Sequence, residues 1–169
     1  MSDGTAPIRK AVTVPLAPRD AFDLFTGGID GWWPRRSRPG ARLRLRPGRD
    51  GHLREEAPDD APGAPARVWA RVAVWEPGRR LVLTWERGHR EGEEPSEVEV
   101  LFTSVEAGTR VDLTHAALGP LEAPAWTAAL ASLGLGARRQ AERRASTSPW
   151  ASPSWAGGSP SRGKVTASR

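Results

Sequence analysis

At 169 residues, with 38% hydrophobic and 27% charged side chains, the chain has the size and composition of one soluble globular domain, not of a disordered or membrane-embedded polypeptide. It has no cysteine, which excludes disulfides, thiolate nucleophiles and cysteine-ligated zinc together, and no tyrosine, which removes a further acid/base. The net charge of +5 belongs to one end: seven of the 25 basic residues but one of the 20 acidic residues lie from Ala137 onward, leaving 18 and 19 for residues 1 to 136, so the charge does not argue for nucleic-acid binding by the body.

The chain opens on MSDGTAPIRK, which lacks the apolar core of a signal peptide. No later stretch reaches the roughly 18 to 20 apolar residues of a membrane helix, so the expected location is the cytoplasm, with no membrane partner. Ile8 to Val14 reads as a first strand, ended by Pro15, which cannot donate to a ladder. Pro18 then opens a short amphipathic helix with Ala21, Phe22, Leu24 and Phe25 on one side, stopped by Gly27-Gly28. Ile29 to Pro34 follows as a helical turn or loop in which Trp32 and Trp33 point in different directions.

Arg42 to Arg46 alternates arginine with leucine, a strand with Leu43 and Leu45 inside and the arginines in water. Gly48 to Gly51 turns the chain into a strand near His52 to Glu56, and a Pro-rich loop spans Ala57 to Pro65. Val68 to Glu86 holds two strand patterns and the Glu76-Pro77-Gly78-Arg79 turn between them, a hairpin at the centre of a sheet. Strict alternation sets Val68, Ala70, Val72 and Val74 on one face and Trp69, Ala73 and Trp75 on the other. After a charged loop, Arg87 to Pro95, Glu97 to Phe102 and Thr109 to His115 complete about six or seven strands, mostly in hairpin succession. Leu121 to Leu133 reads as a helix with Trp126, Ala129, Leu130 and Leu133 on one face, which stops or weakens at Gly134 and Gly136. Residues 137–169 form a basic Ser/Pro/Arg-rich tail, expected to be disordered from Ser146 onward.

The run Trp69-x-Arg71-Val72-x-x-Trp75-Glu76-Pro77, with Arg80-Leu81-Val82-Leu83-Thr84-Trp85, resembles the central hairpin of the SRPBCC (START-like, Bet v 1-like) superfamily. Within it the chain is similar to bacterial proteins related to the C-terminal domain of the activator of Hsp90 ATPase. Val12 to Pro15, Ala21-Phe22, Phe25-Thr26, Trp32-Trp33-Pro34 and Gly108-Thr109-Arg110-Val111-x-Leu113-x-His115 match in order, so the resemblance covers about residues 7 to 119. It implies an α+β helix-grip fold over residues 1–136: a curved antiparallel sheet packed on a C-terminal helix, with a short helical element after the first strand. It also implies a cavity between sheet and helix for an apolar or amphipathic small molecule or, as the alternative, a surface that partners an Hsp90-type chaperone. Such proteins usually close on a long amphipathic helix. Here a short one runs into the tail, whose Arg, Ala, Ser, Pro and Gly composition is also what a GC-rich gene yields out of frame, so the tail is expected to be foreign to the fold.

His115 shares a face with Val111 and Leu113, where its ring either orients a polar ligand group and acts as a base or is a buried histidine held by hydrogen bonds. Phe22, Phe25, Trp33, Trp69, Trp85 and Trp126 either line a pocket with it or fill the core. An enzymatic reading requires Arg71 or Glu86 to converge on His115. His52 and His89 have no ligand at metal spacing beside them, and phosphate loops, G-x-S-x-G elbows and H-E-x-x-H are missing, so no metal or cofactor is expected. The seven arginines between Arg35 and Arg49 read as a solvated face offset by acidic loops, and the tail lacks any signature of specific nucleic-acid recognition.

Overall fold

The computed structural model describes residues 6–48, 50–59, 61–86, 94–116 and 123–147. Along them run β1 (Ile8–Val14), α1 (Pro18–Gly27), α2 (Ile29–Trp32), β2 (Arg42–Leu45), β3 (His52–Glu56), β4 (Arg67–Glu76), β5 (Arg80–Trp85), β6 (Ser96–Val105), β7 (Gly108–His115) and α3 (Ala123–Ser146). The seven strands make one antiparallel sheet in the order β1-β7-β6-β5-β4-β3-β2. Strands β2 to β7 therefore meander, each beside the next, and β1 returns to pair with β7. This is the α+β architecture that the resemblance implies, a curled sheet gripping α3.

Turn chemistry closes the hairpins where the sequence placed it. In Glu76-Pro77-Gly78-Arg79 the Arg79 N–H reaches the Glu76 carbonyl at 3.0 Å, with proline fixing one central residue and Gly78, at φ 75°, supplying the other. Gly108, at φ 128°, follows the Glu106-Ala107 turn, and a Cβ there would stand 2.2 Å from the Val14 carbonyl oxygen. Glycine is thus required both by its dihedral and by the close approach of β1.

From β1 through β7 and β6 to β5 the register is unbroken. Leu81 faces Val100, Leu83 faces Val98, Val100 faces Leu113 and Phe102 faces Val111, and all are buried on the inner side. The other half of the sheet is irregular. The register of β4 shifts against β3 at Leu53/Arg54 and against β5 between Val72 and Val74, which leaves Trp69 and Ala73 as the extra residues. Each bulge resets the phase of the pleat. The strict alternation expected over Val68 to Trp75 is corrected accordingly: Trp69, Ala70 and Val72 are all buried, Val68 is exposed, and Trp75 packs its half-buried ring on Phe22 at 5.1 Å.

The helix expected to stop or weaken at Gly134 and Gly136 continues to Ser146. Each glycine costs about 1 kcal/mol relative to alanine in a helix, but the stripe Trp126, Ala129, Leu130, Leu133 and Ala137 is buried across both of them. At Gly134 an added Cβ would make ordinary contact with Val12 of β1, at 3.4 Å. At the far end Arg144 forms a two-pronged pair with Asp20, at 2.6 and 3.0 Å, in the first turn of α1. Residues 137–146, expected to belong to a foreign tail, are thus part of the helix that closes the fold. Residues 148–169 lie outside the described residues, as do His89 and most of the charged loop around it.

The sheet ends on β2, whose four residues alternate between water and core as the RLRLR pattern predicts. Arg42 pairs with Asp59 at 2.9 Å and Arg44 with Glu56 at 2.7 Å. The Asp30 carboxylate of α2 accepts the Leu43 backbone N–H at 2.8 Å. No helix among the described residues is long and apolar enough to cross a membrane.

Candidate functional site

Helix α3 and strands β5 to β7 converge on His115, which is wholly buried. Its Nδ1 lies 2.9 Å from Trp126 Nε1 and its Nε2 lies 2.8 Å from the Ser96 hydroxyl. An indole N–H only donates, so Nδ1 carries the lone pair and the ring proton sits on Nε2. That proton points at Ser96 Oγ. A serine beside a histidine at this distance is the geometry of an activated nucleophile, but here the histidine is already protonated on the side facing serine. The carboxylate that would hold the opposite tautomer is replaced by an N–H donor. The arrangement is a polar rivet between helix and sheet, not a base.

Around it, Trp33, Trp69, Trp85 and Trp126 form a continuous ring-to-ring wall. Trp33 stands 4.8 Å from Trp126 and 6.0 Å from Trp69, and Trp85 stands 5.6 Å from Trp126 and 5.7 Å from His115. Most of these pairs are edge-on, a geometry that adds about 0.5 to 1.5 kcal/mol each to simple burial. Phe22 and Phe25 are brought not into this wall but into a neighbouring group with Phe102, at 5.2 and 5.8 Å, joined to it through the Trp32–Trp33 contact. Five of the seven residues singled out in the sequence therefore share one cluster, and all seven are buried. The outer clefts, about 680 Å³ beside β2 and about 400 Å³ between α2 and α3, are lined by other residues. Arg71 and Glu86 pair with each other at 2.6 Å on the exposed outer surface and do not reach His115. Among the described residues no group of histidine, aspartate and glutamate side chains has the arrangement of a metal site.

The residue that the sequence reading missed is Glu55. Alternation along β3 turns it inward beside Leu53, and its exposure is 0%. Its Oε2 accepts from the Ser37 backbone N–H at 2.9 Å and from the Ser37 hydroxyl at 2.6 Å. Its Oε1 accepts no hydrogen bond, because Arg38 Nε stops 4.0 Å away, and that Nε is itself unpartnered. Among the described residues the Trp33 indole N–H is the third buried side-chain polar group without a hydrogen bond. The signal was available, since HLREE places Glu55 two residues beyond a core leucine. Ser96, two residues before Val98, was legible in the same way.

The model of the family described as Activator of Hsp90 ATPase homolog 1-like protein matches residues 16–134. The chain belongs to that family. Solved structures with the same fold as this activator-like chain include the protein MLL2253 from Mesorhizobium loti, 16% identical over 79% of this chain and 98% of that one, with a TM-score of 0.61. CalU16 from Micromonospora echinospora is 22% identical over 81% of this chain and 78% of its own, with a TM-score of 0.51. The subunit of the Aha1 dimer from Colwellia psychrerythraea is 16% identical over 79% and 96%, with a TM-score of 0.53. No curated protein sequence matches. The family match runs through most of the buried stripe of α3, so the helix up to residue 134 is native to the fold, and membership is consistent with a ligand-binding or co-chaperone module.

Proposed function

We propose that this protein binds one small amphipathic molecule between the sheet and α3 and does not convert it, with the aromatic wall, Trp33 included, against the apolar body and Glu55 and Arg38 receiving a polar group. The observation that carries this reading is the unpartnered Oε1 of a fully buried glutamate. Leaving a buried polar atom unsatisfied costs about 1 to 3 kcal/mol, more when it is charged, and such atoms are retained where another molecule satisfies them. One donor, Arg38 Nε, and one acceptor, Glu55 Oε1, stand 4.0 Å apart with no hydrogen bond to either. They suit a hydroxyl or primary amide, which both donates and accepts.

Native mass spectrometry of the purified chain tests this directly. The expected result is a discrete adduct that Glu55→Gln and Trp33→Phe both diminish. As a defined probe, naphthol is expected to quench the tryptophan fluorescence at least about tenfold more tightly than its methyl ether, which lacks the donor for Glu55. A bare protein that binds neither probe would remove the reading. A second reading is docking on an Hsp90-type chaperone through the outer surface. Family membership and the fold shared with the Colwellia Aha1 subunit support it, and an Hsp90 pull-down that survives Glu55→Gln is its signature.

A further inference from the structure

We infer a second binding site, for a small organic anion, in the cleft of about 400 Å³ between α2 and α3. It lies outside the sheet–helix interior and does not depend on the function proposed above. Gly27, Gly31 and Gly136 all line it, and at each of them an added Cβ would meet nothing within 4 Å. All three lie in helices, Gly27 as the last residue of α1 and Gly31 and Gly136 before the ends of α2 and α3, where glycine is unfavourable. None has the positive φ that would demand glycine. A Cβ at Gly134 would meet Val12 at ordinary contact distance, whereas at Gly136 it would enter open space. What the three share is the open space that they leave in one groove.

The walls of that groove define the occupant. Trp32 and Leu24 supply an apolar floor, with the Trp32 N–H already committed to the carbonyls of Leu24 and Phe25. Arg139 and Arg143, one turn apart on α3, line the rim, and both are exposed. Among the described residues neither guanidinium makes a hydrogen bond or ion pair, although the Arg143 carbonyl accepts from Ser146 and Thr147, whereas the guanidinium of neighbouring Arg144 is paired with Asp20. The acid at the groove, Asp30, is taken by Arg36 at 3.0 Å and by the Leu43 N–H. The groove therefore presents two uncompensated guanidinium groups above an aromatic and aliphatic floor. Paired guanidiniums bind carboxylates in a two-pronged geometry, and the volume lies within the range of small-molecule sites, about 300 to 1,000 Å³. The chemistry assigned is a carboxylate on a flat apolar body.

The test is titration of the full chain with naphthoate, followed by the Trp32 indole N–H signal in NMR, beside titrations with naphthylmethanol and with inorganic phosphate. The expected result is saturable binding of naphthoate, at least about tenfold weaker for the neutral alcohol and for phosphate, and weakened at least about tenfold by Arg139→Ala with Arg143→Ala. Gly136→Ala provides the check against misfolding: it is expected to raise the thermal midpoint, as alanine does in a helix, while lowering naphthoate affinity, and Gly136→Leu is expected to abolish binding. Any of three results would overturn the assignment: no saturable shift with naphthoate, equal binding of the alcohol, or affinity unchanged in the double arginine variant. Glu55→Gln is expected to leave naphthoate binding intact, so failure here and failure of the interior site are distinguishable.

Discussion

The two halves of the sheet solve the burial problem differently. From β1 to β5 pairing is continuous, and the fully buried inner positions are aliphatic or aromatic apart from Thr109, His115 and Ser96, whose polar atoms are hydrogen-bonded. From β4 to β2 there are two bulges, and the inner face includes a glutamate whose second oxygen lacks a partner. The regular half holds the fold together. The bulged half tolerates a buried carboxylate whose charge partner, Arg38, stands 4.0 Å away without a hydrogen bond, and such tolerance marks a region shaped by something other than stability.

Substitutions can break or sharpen that contrast. The largest effect is expected from Leu113→Ala, at the centre of the regular half and wholly buried, with a loss of about 2 to 5 kcal/mol. Leu45→Ala, on the short edge strand and 8% exposed, is expected near or below the bottom of that range. Urea denaturation compares the two, and equal losses would erase the distinction between halves. Next comes Trp126→Phe, which removes the donor to His115 Nδ1 and leaves a buried lone pair unsatisfied, for about 1 to 3 kcal/mol. Nitrogen NMR of the wild-type His115 ring is expected to show the proton on Nε2, and a proton on Nδ1 would contradict the rivet.

Glu55→Gln keeps an acceptor for Ser37 but removes the charge, and is expected to change stability by less than about 1 kcal/mol or to raise it. A loss well above that would make Glu55 and Arg38 a structural pair. The smallest effect concerns pH. Hydrogen bonding to Arg144 holds the Asp20 carboxyl below its ordinary range, and Arg54 and then Arg44 do the same for Glu56. A depressed folded-state value means that the unfolded chain takes up protons first as pH falls. The contribution is complete above the unfolded carboxylate range, about pH 4, and is lost as pH drops through the folded value. Because the Arg144 pair is solvent-exposed, Arg144→Gln is expected to lower the thermal midpoint slightly at neutral pH and not at all near pH 2, and a difference that persists in acid would refute the linkage.

How much was legible in the sequence follows the same division. Where alternation is unbroken, as in Val111, Leu113 and His115, the inner face could be read residue by residue. Across Trp69 and Ala73 it could not, because a bulge is a tertiary adjustment with no consistent residue signature. The end of α3 was misread for a related reason: local glycine propensity argued for a stop, while the buried stripe through Ala137 and the Asp20–Arg144 contact lie far apart in sequence and prevail. The seven aromatic and histidine positions were found because large rings announce burial, whereas Glu55 was passed over because a charged residue in a short strand reads as solvated by default.

The arginines of β2 also bear on solubility. An open sheet leaves a row of backbone donors and acceptors at its margin, a template on which another copy of the chain can add a strand. Here that margin is four residues long, carries a guanidinium at every second position, and has one of its outward N–H groups occupied by Asp30. The stretch read in the sequence as a solvated face thus places two exposed guanidiniums on the sheet's short edge, and replacing Arg42 and Arg44 with threonine is expected to lower solubility, checked by light scattering, with little change in the thermal midpoint.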